Sequence, residues 1–332
     1  MRRDGANLIS PTLEAAISAA TLDRLQDPRG VDAVVVGAGA AGGMAALRLT
    51  SAGLRVLVLD AGWPAGLEEA PLRTLTWRAI SAVADPDLQT WLPYRAIAIG
   101  RKALKLAGRL RQPIQTRCFA WELAPDAFVD DREHPYVMEP GSRFDWFRAH
   151  QIGGRMTIPG HGRQYYRLSE RDLFPDDGLS PKWPLRHGEL DAWYDLVEGL
   201  LGLTGGGEAC AWVPSGPMAH VLASSPAEVE AVACIRERWP GAEAILGRSA
   251  PPLPAMDAAA ATGQLLCRQG AIARAVEVDA TSQVTGVRWH DRETGRGCSV
   301  RTPLVFLCAS ALESTRILLS SASPARPEGL GS

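Results

Sequence analysis

Three glycines at a fixed spacing are the residues of this sequence most suited to chemistry: Gly37-x-Gly39-x-x-Gly42. They follow a short β-branched run and precede a segment of helical pattern, so they lie at a strand-to-helix turn. Gly37 permits the tight turn, Gly39 lets the backbone approach a pyrophosphate, and Gly42 allows close packing of helix on strand. The first turn of the helix then directs its N–H groups and the positive end of its dipole at phosphate oxygens. The spacing therefore predicts a dinucleotide site.

An acidic residue supports this prediction. Asp60 ends a second apolar run, "LRVLVLD", 23 residues after Gly37, where its carboxylate can accept hydrogen bonds from a ribose diol. A glycine-rich turn that binds nothing is the alternative, and the strand, helix and acid in register argue against it. The motif alone does not separate NAD from FAD. The long irregular stretch after Asp60 and the late group of strands favour a flavin enzyme with a split nucleotide domain.

The elements that must position these residues follow an α/β pattern. Residues 31–60 are predicted to form a strand, a helix ended by Gly53 and a second strand, and such continuous apolar strands suit a parallel sheet covered on both faces. The run 95–111 carries six positive charges and no negative one, which predicts an amphipathic surface helix; such a helix can also lie on a membrane or dock on a partner. Patterns elsewhere predict helices within 11–25, 183–202 and 226–238, a three-stranded antiparallel meander from residue 271, and a buried strand, "LVFLCA", before a last helix.

Composition excludes several classes of protein. The chain has 332 residues and a net charge of −2, so its overall charge gives no argument for a nucleic-acid partner or for a membrane surface. Six cysteines lie far apart without a C-x-x-C pair and the six histidines are scattered, so no metal site is expected.

No apolar run approaches the ~18 residues that a membrane span needs. No apolar segment follows Arg2-Arg3, which argues against an export signal, and the expected location is the cytoplasm.

Four stretches together resemble the glucose–methanol–choline (GMC) oxidoreductases, and most closely their gluconate-dehydrogenase-like branch. "VVVGAGAAGGMAALRLTSAGLRVLVLDAG" is common to many FAD enzymes. "FRAHQIGGRMTIPGHGRQYYRLSERDL" (147–173) is the most specific, because it resembles the R-G-x-x-V-G-G-x-S/T loop of the family. "WPLRHGELDAWYDLVEGLLGLTG" (183–205) resembles a Trp-Pro helix of the family, and the stretch from "VTGVRWH" to "ALESTRILLSSAS" resembles its meander, strand and helix.

The resemblance implies an FAD/NAD(P)-binding Rossmann-like α/β domain with a β-meander, partial substrate or cap segments, and FAD as the cofactor. The implied FAD contacts are Gly37, Gly39, Ala40, Ala41, Gly42, Asp60, Ala61, Gly62, Ile152, Gly153, Gly154, Ala273, Ala309 and Ser310. Gly37, Gly39 and Gly42 would hold the diphosphate, and Asp60 would bind the adenosine ribose. Residues 152–154 would lie beside the edge of the isoalloxazine ring, and the backbone of Ala273 would contact the adenine. Ser310 departs from the family, which commonly has glycine there. His161 matches a loop in which some members link flavin covalently, and polar lining is the alternative role.

The resemblance also suggests how the chain is organised. The expected parts are an N-terminal helical extension (1–30), the first part of the FAD-binding domain with an insertion (31–175), a partial cap or substrate segment (176–265), a meander with return strand and helix (266–323), and a tail at a truncation point (324–332).

The expected reaction is oxidation of a CH–OH group of an alcohol or sugar, with hydride passing to flavin N5. In the family a His paired with His or Asn provides the acid/base chemistry, and no position here matches that pair. The chain is therefore expected to be the N-terminal part of such an enzyme, with a complementary C-terminal chain or an electron-acceptor subunit as partner. A non-catalytic FAD-binding module and an NAD-dependent dehydrogenase are the alternatives.

Overall fold

The structure is a computed structural model and describes residues 9–25, 30–62, 94–123, 125–158, 163–208, 210, 212–251 and 254–331. Its α-helices are α1 (Pro11–Ser18), α2 (Leu22–Leu25), α3 (Ala40–Ser51), α4 (Tyr94–Gly108), α5 (Glu170–Leu173), α6 (Asp191–Leu201), α7 (Pro226–Arg238), α8 (Pro254–Ala261) and α9 (Ala311–Leu319). Its strands are β1 (Ala33–Val36), β2 (Val56–Leu59), β3 (Thr204–Gly205), β4 (His220–Val221), β5 (Arg248–Ser249), β6 (Leu265–Arg268), β7 (Ala271–Val278), β8 (Val284–Asp291), β9 (Arg296–Arg301) and β10 (Val305–Leu307). Short 3-10 helices span Gln115–Arg117, Phe119–Leu123, Pro125–Ala127 and Gly154–Thr157.

A parallel sheet carries the first part of the chain, and its strand order is β10-β1-β2-β6. Every residue of β1 and β2 is buried, which is why both strands are continuous apolar runs. Helix α3 connects them and ends where the sequence predicted, because Gly53 adopts a left-handed conformation with φ of +83° just after the helix. The α/β architecture with a parallel sheet is confirmed.

The meander is also confirmed as a three-stranded antiparallel sheet of order β7-β8-β9. Val287 and Trp289 of β8 are buried, and they join one hydrophobic core with Leu57 and Leu59 of β2. The expectation of a buried last strand was wrong, because β10 is only partly buried and lies at one edge of the parallel sheet in the described residues. Strand β6 was not predicted, since four residues are too few to show a period.

The chain divides into two compact units, residues 1–162 with 255–332, and residues 163–254. In the second unit a buried ion pair replaces part of an apolar core: the guanidinium of Arg167 donates to both carboxylate oxygens of Glu198, at 2.9 and 2.7 Å. Arg248 is also buried there, and it donates to the backbone carbonyl oxygens of Gly206, Glu208 and Pro214. These contacts satisfy the buried charges. Within the described residues of the chain, no helix is long and apolar enough to cross a membrane.

Candidate functional site

Loops that follow three neighbouring strands form the candidate site. Because β10, β1 and β2 are parallel, their carboxyl ends lie at one edge of the sheet, which is where open α/β sheets bind ligands. The three loops are residues 37–39, 60–62 and 308–310. All three contain residues that the sequence predicted to contact a cofactor.

Two of the three motif glycines are required by the fold itself. Gly37 has φ of +101°, and a Cβ there would lie 2.5 Å from the carbonyl oxygen of Cys308. A Cβ on Gly42 would lie 1.8 Å from the carbonyl oxygen of Gly37. Both glycines therefore let the loops after β1 and β10 and the start of α3 pack backbone against backbone.

Gly39 differs from these two, because a Cβ at this position would meet no atom within 4 Å. The open space in front of Gly39 faces the start of α3, whose first internal hydrogen bond runs from the N–H of Gly43 to the carbonyl oxygen of Gly39 at 2.8 Å. The N–H groups of residues 39–42 donate to no backbone oxygen in the described part of the chain. The arrangement is an open cradle of amide donors at a helix start, which fits a pyrophosphate.

A second glycine pair borders this cradle. Gly153 and Gly154 have φ of +88° and +52°, and a Cβ on Gly154 would lie 3.8 Å from the Cα of Gly39. The buried Ile152 precedes them. The structure thus brings together two glycine turns that lie more than a hundred residues apart in the sequence, as expected if one elongated ligand passes both.

Gln151 holds the second glycine turn in place. Its side-chain amide donates to the carbonyl oxygen of Gly154 at 3.3 Å and to the hydroxyl of Thr157. Gly62 fixes the same turn from the other side, because a Cβ on Gly62 would lie 2.1 Å from the backbone nitrogen of Gln151. The loop after β2 and the loop 151–154 therefore pack directly on each other.

Asp60 is buried, and both of its carboxylate oxygens accept backbone hydrogen bonds. One oxygen accepts from the N–H of Ala38 at 2.6 Å and the other from the N–H of Gly62 at 2.8 Å. Burial raises the pKa of Asp60, and the two backbone hydrogen bonds act in the opposite direction. Asp60 consequently ties the glycine turn after β1 to its own loop, a role that the sequence did not indicate. Each carboxylate oxygen keeps a second lone pair for a ligand hydroxyl.

The remaining predicted contacts lie on the meander and after β10. Ala273 is buried in β7, and its carbonyl oxygen accepts from the guanidinium of Arg316 at 2.8 Å. The backbone nitrogen of Ala309 lies 3.2 Å from the position of a Cβ on Gly37, which places Ala309 beside the glycine turn. Ala61 contributes its carbonyl oxygen, which accepts from Arg292 at 3.1 Å. His161 lies outside the described residues.

Ser310 has a strained backbone, with φ of +71° and ψ of +160°, a region that is almost restricted to glycine. Replacing Ser310 by glycine is therefore expected to raise the free energy of unfolding by about 1 kcal/mol, because relief of strain exceeds the added entropy of the unfolded chain. Urea titration measures this change. Ser282→Gly is the matched control. Ser282 also has a positive φ, of +65°, but it lies in the turn between β7 and β8, away from the three loops of the candidate site. Unchanged or reduced stability of Ser310→Gly would contradict the strain argument.

Basic side chains that no sequence pattern singled out lie next to the Asp60 loop. A Cβ on Gly62 would lie 2.3 Å from the carbonyl carbon of His150, and the rings of His134 and His150 meet edge to face at 4.8 Å between centroids. Burial, with Arg148 and Arg292 nearby, lowers the pKa of His150 to about 3. This histidine therefore stays neutral at neutral pH and is not suited to accept a proton there.

The depressed pKa of His150 makes stability depend on pH. The unfolded chain takes up a proton near pH 6.5, whereas the folded chain does so only at about 3, so stability is lost as the pH falls through 6.5. We expect His150 to account for about 2 kcal/mol of lost stability between pH 7.5 and pH 5. His150→Leu should remove this part of the loss in urea titrations, and His220→Leu, on the exposed strand β4, is the control. Equal losses in His150→Leu and the wild type would refute the assignment.

Comparison with known proteins agrees with the geometry at the sheet edge. Residues 32–71 match the family described as FAD binding domain. The chain is 23% identical over 359 aligned residues to 6'''-hydroxyparomomycin C oxidase of Streptomyces lividus, covering 97% of this chain and 55% of that protein. It is also similar to pyridoxine 4-oxidase from Mesorbium loti, with 19% identity, a TM-score of 0.45, and coverage of 88% of this chain and 52% of the other. The chain thus spans about half the length of the relatives that it matches.

The family match decides between the two dinucleotides that the glycine motif left open. It covers β1, the glycine turn, α3, β2 and the Asp60 loop, so it falls on the elements that build the cradle. The cofactor of this domain is FAD, and this part of the sequence prediction is confirmed.

Proposed function

We propose that this chain is the FAD-binding part of a flavin-dependent oxidoreductase that acts on CH–OH groups of alcohols or sugars. The observation that carries the proposal is the cradle between Gly39 and Gly154, with α3 amides on one side and the Asp60 loop beside it. A named relative is an oxidase of a hydroxylated compound, which supports the oxidoreductase class. The resemblance of residues 147–173 to a loop of the GMC oxidoreductases supports the proposal that the chain belongs to that family, in its gluconate-dehydrogenase-like branch.

The chain's own residues perform binding and positioning. The amides of residues 39–42 hold the diphosphate, and Asp60 holds the adenosine ribose while it fixes the glycine turn. The backbone of residues 152–154 would lie beside the ring system, the backbone of Ala273 would contact the adenine, and the backbone of Ala309 and Ser310 would lie near the FAD. Bound FAD supplies a hydride acceptor for the oxidation of a CH–OH group. His150 is excluded as the proton acceptor because it is buried and its pKa is about 3.

The acid/base pair of the reaction is proposed to lie in sequence beyond the N-terminal part of the enzyme. The chain spans 55% of the relative's length, which leaves room in such a protein for a second part. A complementary C-terminal chain or an electron-acceptor subunit is the proposed partner. His161, outside the described residues, is proposed to line the flavin loop.

An absorption spectrum tests the proposal. The chain is purified, desalted and scanned between 300 and 550 nm, and the supernatant is scanned again after denaturation. Flavin bands that pass into the supernatant are expected, and flavin that stays with the precipitate would indicate a covalent link, for which His161 is the candidate. A folded protein without flavin and without uptake of added FAD would refute the proposal. Loss of absorbance at 450 nm on addition of sugars or short alcohols, with the complementary part present, tests the CH–OH assignment.

A further inference from the structure

Helix α4 has apolar residues on two opposite sides. On one side Leu104 packs against a buried cluster that includes Trp121, and a Cβ on Gly108 would lie 2.4 Å from the ring of Trp121. At about 100° per residue, Ile99 and Leu106 lie within roughly 20° of each other on the other side, and Leu110 follows in the turn after the helix, two residues past its end. An amphipathic surface helix needs only the inner apolar side, so the outer one calls for an explanation.

The outer side is open to solvent. The side chains of Ile99, Leu106 and Leu110 are 68%, 66% and 66% exposed. Single exposed apolar residues are common on protein surfaces, but two large ones on one side of a helix, with a third in the turn after it, form a patch. We call these three residues the outer stripe.

Positive charge borders the outer stripe on one side. Lys102 and Arg109 are exposed and seven residues apart, so they lie on one line next to the stripe. Neither has a carboxylate partner in the part of the chain that the structure describes, whereas Arg111 and Arg117 pair with Asp130 and Asp145. Residues 95–121 contain no Asp or Glu at all, although the whole chain carries a net charge of −2. Positive charge is therefore concentrated at this helix.

The size of the outer stripe and the positive charge beside it favour one kind of binding partner. Three side chains offer an area on the order of a few hundred Å², whereas a stable protein interface buries at least roughly 1,200 Å². A shallow apolar stripe with flanking Lys and Arg suits a helix that lies in the plane of an anionic lipid surface, where insertion and electrostatic attraction add. Nucleic acid does not fit, because it offers no apolar surface to three aliphatic side chains.

We propose that α4 and the turn after it bind the surface of an anionic membrane, with Ile99, Leu106 and Leu110 inserted and Lys102 and Arg109 facing lipid phosphates. This is peripheral binding through one helix and involves no membrane span. The proposal does not rest on the oxidoreductase function, since none of these residues belongs to the FAD site.

Flotation with vesicles tests the proposal. The purified chain is mixed with vesicles of phosphatidylcholine alone or with about 30% phosphatidylglycerol, and the bound fraction is measured at low and at high salt. We expect at least tenfold stronger binding to the anionic vesicles, weakened by salt. Lys102→Glu with Arg109→Glu should abolish this preference. Lys182→Glu with Arg238→Glu makes the same charge change at exposed sites and should retain most of it.

A second pair of variants tests the apolar contribution. Leu106→Gln is expected to weaken binding to anionic vesicles about tenfold, since an inserted side chain is lost. Val229→Gln on α7, where Val229 is 58% exposed, should bind like the wild type. Each variant is checked for a wild-type circular dichroism spectrum, which shows that the fold is intact.

Three results would overturn the proposal. One is equal binding to neutral and anionic vesicles, and another is equal binding by the wild type and Lys102→Glu with Arg109→Glu. The third is a dimer in light scattering that Leu106→Gln dissociates while vesicles do not bind, because the stripe would then belong to a contact between two copies of the chain.

Discussion

Gly39→Val is expected to weaken FAD binding by about 100-fold or more while the chain stays folded. A Cβ at Gly39 meets no atom within 4 Å apart from its chain neighbours, so a side chain there extends into the space in front of the amides at the start of α3. A diphosphate displaced by two methyl groups loses several of its hydrogen bonds to these amides, and 100-fold corresponds to about 2.7 kcal/mol. Valine also replaces glycine at the N-cap of α3, which costs roughly 1 kcal/mol of stability.

Fluorescence titration of the apo chain with FAD measures the affinity, and urea titration measures the stability. Gly297→Val is the matched control, because a Cβ at Gly297 in β9 also meets no atom within 4 Å but lies on the meander. This control should bind FAD like the wild type. Gly42→Ala gives the contrast, since its Cβ would lie 1.8 Å from a carbonyl oxygen, and we expect it to unfold the chain. Wild-type affinity in Gly39→Val would show that the diphosphate lies elsewhere.

The contrast between Gly39 and its neighbours shows what local sequence can predict. The strand, turn, helix and strand of residues 31–60 were predictable because their period, their glycines and the stop at Gly53 are local signals. The spacing rule assigned Gly37 and Gly42 to turn and packing, and Gly39 to the approach of a ligand. The three-dimensional packing adds the distances: a Cβ on Gly37 or Gly42 would lie 2.5 or 1.8 Å from a carbonyl oxygen, whereas a Cβ on Gly39 would meet no atom within 4 Å.

Features that depend on distant contacts were not predictable in this way. Gly62 packs on the backbone of Gln151, a contact between loops that are nearly ninety residues apart, and no local pattern reports it. Strand β6 escaped prediction because its four residues obtain their pairing from β2 rather than from their own period. The resemblance indicated Ser310 as a departure from glycine, but only the backbone angles show that the serine occupies a strained conformation.

Asp60→Ala is expected to lower the free energy of unfolding of the apo chain by about 2–6 kcal/mol. The substitution leaves the N–H groups of Ala38 and Gly62 buried without acceptors, and each such group costs about 1–3 kcal/mol. Asp60→Asn keeps one acceptor oxygen, so roughly half of this loss is expected. Asp32→Ala is the matched control: its carboxylate also accepts from a backbone N–H, that of Arg55, but it is partly exposed, so water can replace it at a cost of at most about 1 kcal/mol.

The same variants separate the two roles of Asp60, because FMN lacks the adenosine ribose that FAD carries. If Asp60 binds this ribose, Asp60→Asn weakens FAD binding much more than FMN binding. If Asp60 acts only by holding the glycine turn, affinity for both flavins falls by the same factor, since both must place phosphate against the amides of α3. Equal loss would leave Asp60 as a positioning residue and would remove the ribose contact from the proposed site.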